Sequence, residues 1–155
     1  MKKINLLQIT LLILPWLTVP FLGRSSFKKY VPSAIFICTV TAALDLFGER
    51  KKWWRFYKGM SYVKSMNFFN WGPYFVSSLW MLKMTYGKFP LYIISNTILH
   101  ICFIYLGGLT LLNRYKIASL VKLTKFQYLV IDFIRAIILY GFQCITNNTK
   151  KLSNE

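Results

Sequence analysis

The sequence predicts an all-α membrane protein, a polytopic bundle of about five transmembrane helices with a basic-aromatic interfacial helix between the second and third. Three observations lead there. Of the 155 residues, 55% are hydrophobic, and the mean hydropathy is +0.43, too apolar for a domain whose surface faces water. Several windows reach the roughly 20 apolar residues that a hydrocarbon core of about 30 Å requires. The charge is strongly basic, +16 from 20 Lys and Arg against Asp45, Glu49, Asp132 and Glu155, and it concentrates between those windows. Basic residues so placed suit an anionic leaflet, where each contributes about 1 kcal/mol near the surface.

The first window, residues 4–23, follows Lys2 and Lys3 as the apolar part of a signal peptide follows its basic part. No small-x-small cleavage site comes after it, so the expectation is an uncleaved anchor, kinked or shortened at Pro15 and Pro20. Residues 24–30 read as a short basic turn, and Pro32 as the first-turn proline of a second span over 31–48. A carboxylate inside a membrane is a functional candidate by default. Asp45 lies only a turn from the end of its window, which places it at the interface with Arg50 or Lys51 as partner.

Residues 49–64 carry the densest charge. Arg50, Lys51, Lys52, Arg55, Lys58 and Lys64 alternate with Trp53, Trp54, Phe56, Tyr57 and Tyr62. On a helix, Trp53, Phe56, Tyr57 and Met60 fall on one face. Such a helix lies in the headgroup layer, aromatic side down and basic side toward phosphates. Arg50, Lys51, Lys52, Trp53, Trp54, Arg55 and Lys58 are therefore the candidate contacts to anionic lipid. Interleaved basic and aromatic residues also suit single-stranded nucleic acid, but two adjacent spans make lipid the nearer anion, and no nucleic acid partner is expected. A partner membrane protein is the alternative.

Two hydrophobic segments, 68–86 and 89–113, form a central hairpin joined through Gly87 and Pro90. Gly72 and Pro73 should break or start the first of them. Discontinuous helices line binding sites in transporters, although a single Gly-Pro more often marks a structural kink. In the second segment Asn96 and His100 stand at i and i+4, on one face with Phe103 and Gly107. His100 is the only histidine, the side chain best suited to carry a proton near neutral pH. Its ordinary role beside an Asn is hydrogen bonding between packed helices.

A last window, 126–143, contains Asp132 and Arg135 at i and i+3, where they can neutralise each other. An isolated charge there would cost about 2.5–3.5 kcal/mol on insertion scales. A pairing of Asp132 with His100 is the sharper alternative, and Asn96, His100, Asp132 and Arg135 together are the candidate intramembrane polar site. Residues 146–155 read as a polar, disordered tail with a sequon, Asn147-Asn148-Thr149, that chance readily supplies.

With five spans, Lys2, Lys3, the six basic residues of 50–64 and the four of 114–125 share one side. Arg24, Lys28, Lys29, Lys88, Lys150 and Lys151 share the other. The positive-inside rule then puts the N-terminus in the cytoplasm. A four-span alternative, with 126–143 interfacial or re-entrant, brings the C-terminus to that side too.

Cys38, Cys102 and Cys144 are odd in number, far apart and in or beside apolar segments, so neither a zinc site nor a disulfide framework is indicated. No phosphate loop, dinucleotide fingerprint, metalloprotease helix or nucleophile elbow occurs, and no catalytic residue, metal or cofactor is assigned. The strings Phe27-Lys28-Lys29-Tyr30-Val31-Pro32, Lys52-Trp53-Trp54, Trp71-Gly72-Pro73, Leu79-Trp80, Thr85-Tyr86-Gly87-Lys88-Phe89 and Tyr140-Gly141-Phe142-Gln143 give a resemblance. The chain resembles an uncharacterised family of small multi-pass membrane proteins from spore-forming Gram-positive bacteria, over most of its length to Gln143. The resemblance implies a bacterial plasma membrane and no substrate, cofactor or active site. Three function classes follow in order of preference. They are a non-enzymatic membrane component acting on lipid headgroups or a partner membrane protein, a small carrier or lipid-binding protein using Asn96, His100 and Asp132, and a membrane-embedded enzyme using His100.

Overall fold

The computed structural model describes residues 2–56, 69–116 and 118–152. Helices dominate it, as the sequence predicts, and a single short antiparallel ladder accompanies them among the described residues. Among the described residues two helices are long and apolar enough to cross a membrane, or three if a bent pair counts as one. Five crossing helices are not supported.

The first window is not one helix. α1 (Lys2–Trp16) ends just after Pro15, and α2 (Val19–Leu22) restarts with a proline in its first turn. Between them the Thr18 amide and hydroxyl both donate to Pro15 O, at 3.0 and 2.7 Å, tightening the chain into a turn. Gly23, at φ 83, then reverses the direction. Because the glycine supplies that break, α3 (Arg24–Arg50) begins at once and takes in the basic residues expected as a loop. Pro32 lies inside α3 rather than at its start. The 27 residues extend about 40 Å at 1.5 Å each, enough to cross.

The stretch expected as an interfacial helix differs most. Its described part turns at Lys51 and Lys52 and forms β1 (Trp54–Phe56), paired antiparallel with β2 (Ala118–Leu120). Residues 57–64, with Tyr57, Lys58 and Met60, lie outside the described residues. Trp53 O accepts from the amides of Val121 and Lys122 at 3.0 and 3.1 Å, extending the ladder. Two basic loops distant in sequence are thus bound at one end of the molecule.

Gly72 and Pro73 neither start nor stop a helix. They sit in a π-helical turn, Asn70–Tyr74, that continues into α4 (Phe75–Thr85). A π turn carries one extra residue per loop of backbone, which accommodates a proline lacking its N–H. The described part of this helical segment, residues 69–85, rises at most about 26 Å at 1.5 Å per residue. α5 (Phe89–Tyr105) and α6 (Gly108–Arg114) meet at a 42° bend around Gly107, whose φ is 118. α7 (Lys125–Leu152) opens with a reciprocal cap in which the Gln127 amide donates to Thr124 Oγ1 and the Thr124 amide to Gln127 Oε1. It runs on to Leu152, through most of the stretch read as a disordered tail.

Contacts fix the directions. Ser33 and Phe36 of α3 meet Gln143 and Phe142 of α7, while Trp54, just past α3, meets Tyr128 near the start of α7. α3 and α7 are therefore antiparallel. Tyr86 after α4 meets Tyr30 at the start of α3, and Asn70 meets Asp45 near its end, so α4 also opposes α3. Tyr92 of α5 donates to Ala136 O of α7 at 2.8 Å. Ala34, Ile37, Leu79, Leu82, Tyr92 and Leu139 fill the centre. Outside it, Phe21, Leu106, Ile98 and Ile134 are half or more exposed, an apolar surface compatible with a membrane setting.

Candidate functional site

α5 and α7 bring His100 and Asp132 together. Asn96 and His100 share a face of α5 because four residues make about one turn. Asn96 turns back on its own helix, its Nδ2 donating to Tyr92 O at 2.9 Å. His100 reaches across, with Nδ1 3.2 Å from Asp132 Oδ2. The other carboxylate oxygen of Asp132 pairs with an Arg135 terminal nitrogen, i to i+3 on α7. Asp132 is 4% exposed at its side chain and Arg135 5%, but His100 is 17% exposed, so the histidine is the open side of the triad. Both pairings weighed from the sequence coexist on one carboxylate.

Arg135 is held by more than its charge. Its guanidinium lies 5.6 Å from the ring centre of Tyr74 and 5.9 Å from that of Tyr128. Aromatic faces attract a cation most strongly where water is absent. Tyr74 comes from the π turn, Tyr128, Asp132 and Arg135 from α7 and His100 from α5, so three segments converge on one charged centre.

Asp45 belongs to this centre and not to the interface. It is buried, and Asn70 Nδ2 donates to its Oδ2 at 3.0 Å. The expected partners Arg50 and Lys51 stand exposed at the helix end. Five and six residues beyond Asp45, they leave the inward face that it occupies. Trp54 closes the same end, its Nε1 donating to Asp45 O at 3.3 Å and its ring lying against Gly48 and Tyr128. Asn70, Tyr74 and Tyr128 are residues that sequence reasoning passed over. An Asn beside Gly-Pro reads as a turn, and tyrosines near span ends read as interfacial anchors.

A cavity of about 210 Å³ opens beside the cluster, between the π turn with α4 on one side and α5 and α7 on the others. Its lining combines the apolar side chains of Phe69, Pro73, Leu99 and Phe103 with His100, Asp132, Arg135, Asn70 and Tyr74. A smaller cavity of about 140 Å³ lies on the other side of His100, between Asn96, Thr97 and Phe133. Two members of the cluster leave hydrogen-bonding capacity unused. Asn70 Oδ1 and Arg135 Nε are buried and have no hydrogen-bond partner.

Of the candidate lipid contacts, Arg50, Lys51, Lys52 and Arg55 are exposed at the ladder end. Trp53 is half-buried against Phe47 and Trp54, Trp54 itself is buried, and Lys58 lies outside the described residues. Trp54 is therefore a packing residue rather than a headgroup contact. Among the described residues no three His, Cys, Asp or Glu side chains group closely enough to hold a metal ion. Comparison of the chain with family models, with curated proteins and with solved structures finds no match in any of the three.

Proposed function

We propose that the protein is a membrane-embedded binding protein for a lipid-like molecule, whose tail lies on the apolar side chains of the α4–α5–α7 cavity and whose polar end meets the His100–Asp132–Arg135 cluster. The cavity carries this proposal: about 210 Å³ of space lined by apolar side chains together with a charged, hydrogen-bonding group. Ligand sites have that composition, mostly apolar with a few convergent polar groups. Ionisable residues inside a membrane are costly, and a functional role is the default explanation of them. Asp45, His100, Asp132 and Arg135 fall within one cluster, whereas residues serving packing alone need not converge.

The setting we propose is a bacterial plasma membrane, with the ladder end in the cytoplasm and Arg50, Lys51, Lys52 and Arg55 against anionic headgroups. A second use of the site, general-base chemistry by His100 oriented by Asp132, draws support from their 3.2 Å pairing at a cavity wall. Native mass spectrometry of the protein released from detergent tests the binding role. Wild type should retain a lipid through collisional activation that strips annular lipid. Leu99→Trp, which fills the cavity from its exposed rim, should lose it. Equal retention by both proteins, or none by either, rejects the cavity as the site. Consumption of the retained lipid on incubation would move the assignment from binder to enzyme.

A further inference from the structure

The ligand class follows from what the polar groups lining the cavity lack. Resting on the binding role above, we infer that the cavity selects a neutral lipid bearing a free hydroxyl, and that the hydroxyl sits between Asn70 and Arg135. Charge comes first. Asp45 and Asp132 are two carboxylates against one guanidinium, and Arg135 is already paired with Asp132 and flanked by Tyr74 and Tyr128. With His100 neutral and both carboxylates ionised, the cluster has an excess of one negative charge. In a site of low dielectric an anionic headgroup would add to that excess, and like charges brought together there cost far more than in water.

Hydrogen bonding then narrows the class. Asn70 Oδ1 is an acceptor with no donor, and the amide cannot be turned to cure this, because its Nδ2 is needed by the acceptor Asp45 Oδ2. Arg135 Nε–H is a donor with no acceptor. Leaving each buried group unmade costs about 1–3 kcal/mol. The pair calls for one group that both donates and accepts. A hydroxyl does both and has no charge, whereas an ester or ether only accepts and an ammonium only donates. Asn70 and Arg135 line the same cavity as Phe69, Leu99 and Phe103, so the tail has apolar surface to follow.

Diacylglycerol is the probe, since its single free hydroxyl can be removed or charged without altering the chains. A diacylglycerol carrying a diazirine in one chain is photolysed with the full-length protein in neutral detergent, and the labelled peptides are mapped. Label should fall on residues 69–77 and 99–103. Unlabelled diacylglycerol should displace it at a concentration at least about tenfold below that needed of phosphatidate, or of diacylglycerol acetylated at its hydroxyl, with the same chains; tenfold is the factor one lost hydrogen bond readily gives. Equal displacement by the acetylated lipid overturns the inference, showing that water completes the polar groups and the tail alone is recognised. Better displacement by phosphatidate also overturns it, in favour of an anionic ligand. Both results leave the binding role standing. Label outside the cavity, or none, removes the binding role and the inference together.

Discussion

His100 Nδ1 and Asp132 Oδ2 approach to 3.2 Å across the α5–α7 contact, while the second oxygen of the same carboxylate pairs with Arg135. Asp132 is thus the common member of two interactions, and the consequences of removing each partner are unequal.

Asp132→Ala should be the most damaging single change in the cluster. It leaves the Arg135 guanidinium buried without its counter-charge, and breaking a buried pair from one side costs about 3–5 kcal/mol. His100→Ala removes one hydrogen bond between membrane helices, worth about 0.6 kcal/mol on average and at most about 1.7. The double change Asp132→Leu with Arg135→Met should recover most of the loss, because no charge is left unpaired. Unfolding in mixed detergent and SDS measures all three. A His100→Ala effect as large as that of Asp132→Ala would show that Arg135 is not the partner that matters.

These two pairings differ in how far the sequence foretells them. The 3.6-residue period puts Asp132 beside Arg135 and Asn96 beside His100 without further information, since each pair lies within a single helix. Whether α5 turns His100 toward α7 depends on the packing of two helices, to which local spacing is blind. The ladder fails for the same reason. Trp53, Phe56 and Tyr57 fit a helical face, but Trp54–Phe56 is claimed by Ala118–Leu120, more than sixty residues on, and pairing at that distance leaves no local trace. Composition foretold the mostly helical fold; it overstated the number of crossing helices among the described residues, because the break at Pro15 and Pro20 and the bend at Gly107 interrupt regular structure without lowering hydropathy.

Gly48 should tolerate no side chain. A Cβ built there runs into the indole of Trp54, which is held by its bond to Asp45 O and its contact with Tyr128. Overpacking of this kind costs about 1–3 kcal/mol. Gly48→Ala should therefore lower the midpoint of thermal unfolding in detergent. Adding Trp54→Phe should raise it again, since the smaller ring vacates the space. No recovery in the double variant would mean that backbone freedom, and not the ring, requires glycine.

Gly107 and Gly141 offer a matched comparison, because neither would bring a new Cβ within 4 Å of a neighbour. At Gly107 the φ of 118 is open to glycine alone, so Gly107→Ala should cost about 1–2 kcal/mol. Gly141 is helical within α7, and Gly141→Ala should instead add about 0.5–1 kcal/mol by restricting the unfolded chain. Unfolding midpoints of opposite sign are the expected result. A neutral Gly107→Ala would show that the bend between α5 and α6 relaxes into a straight helix.

The ladder end should face the cytoplasm. Trp16 donates to Trp71 O, Thr18 accepts from Trp80 and Lys83 donates to Phe21 O, so α1 with α2 runs parallel to α4. α3 and α5 run the other way, and α7 runs with α4. The start of α1, the end of α3 and the start of α7 therefore lie toward one end, the Gly87 turn and the end of α7 toward the other. Arg50, Lys51, Lys52, Arg55, Arg114, Lys116, Lys122 and Lys125 belong to the first end, with the ladder binding their two loops together. The bias of Lys and Arg in short loops sets orientation, and acidic residues contribute little to it. Paired reporters, one active only in the cytoplasm and one only outside, inserted after Lys52 and after Gly87 should give opposite signals, cytoplasmic for Lys52. A fusion after Glu155 should match Gly87 if α7 crosses. Cytoplasmic signal at both Lys52 and Glu155 would mean that α7 does not cross, and that its Asp132–Arg135 face is reached from the basic side.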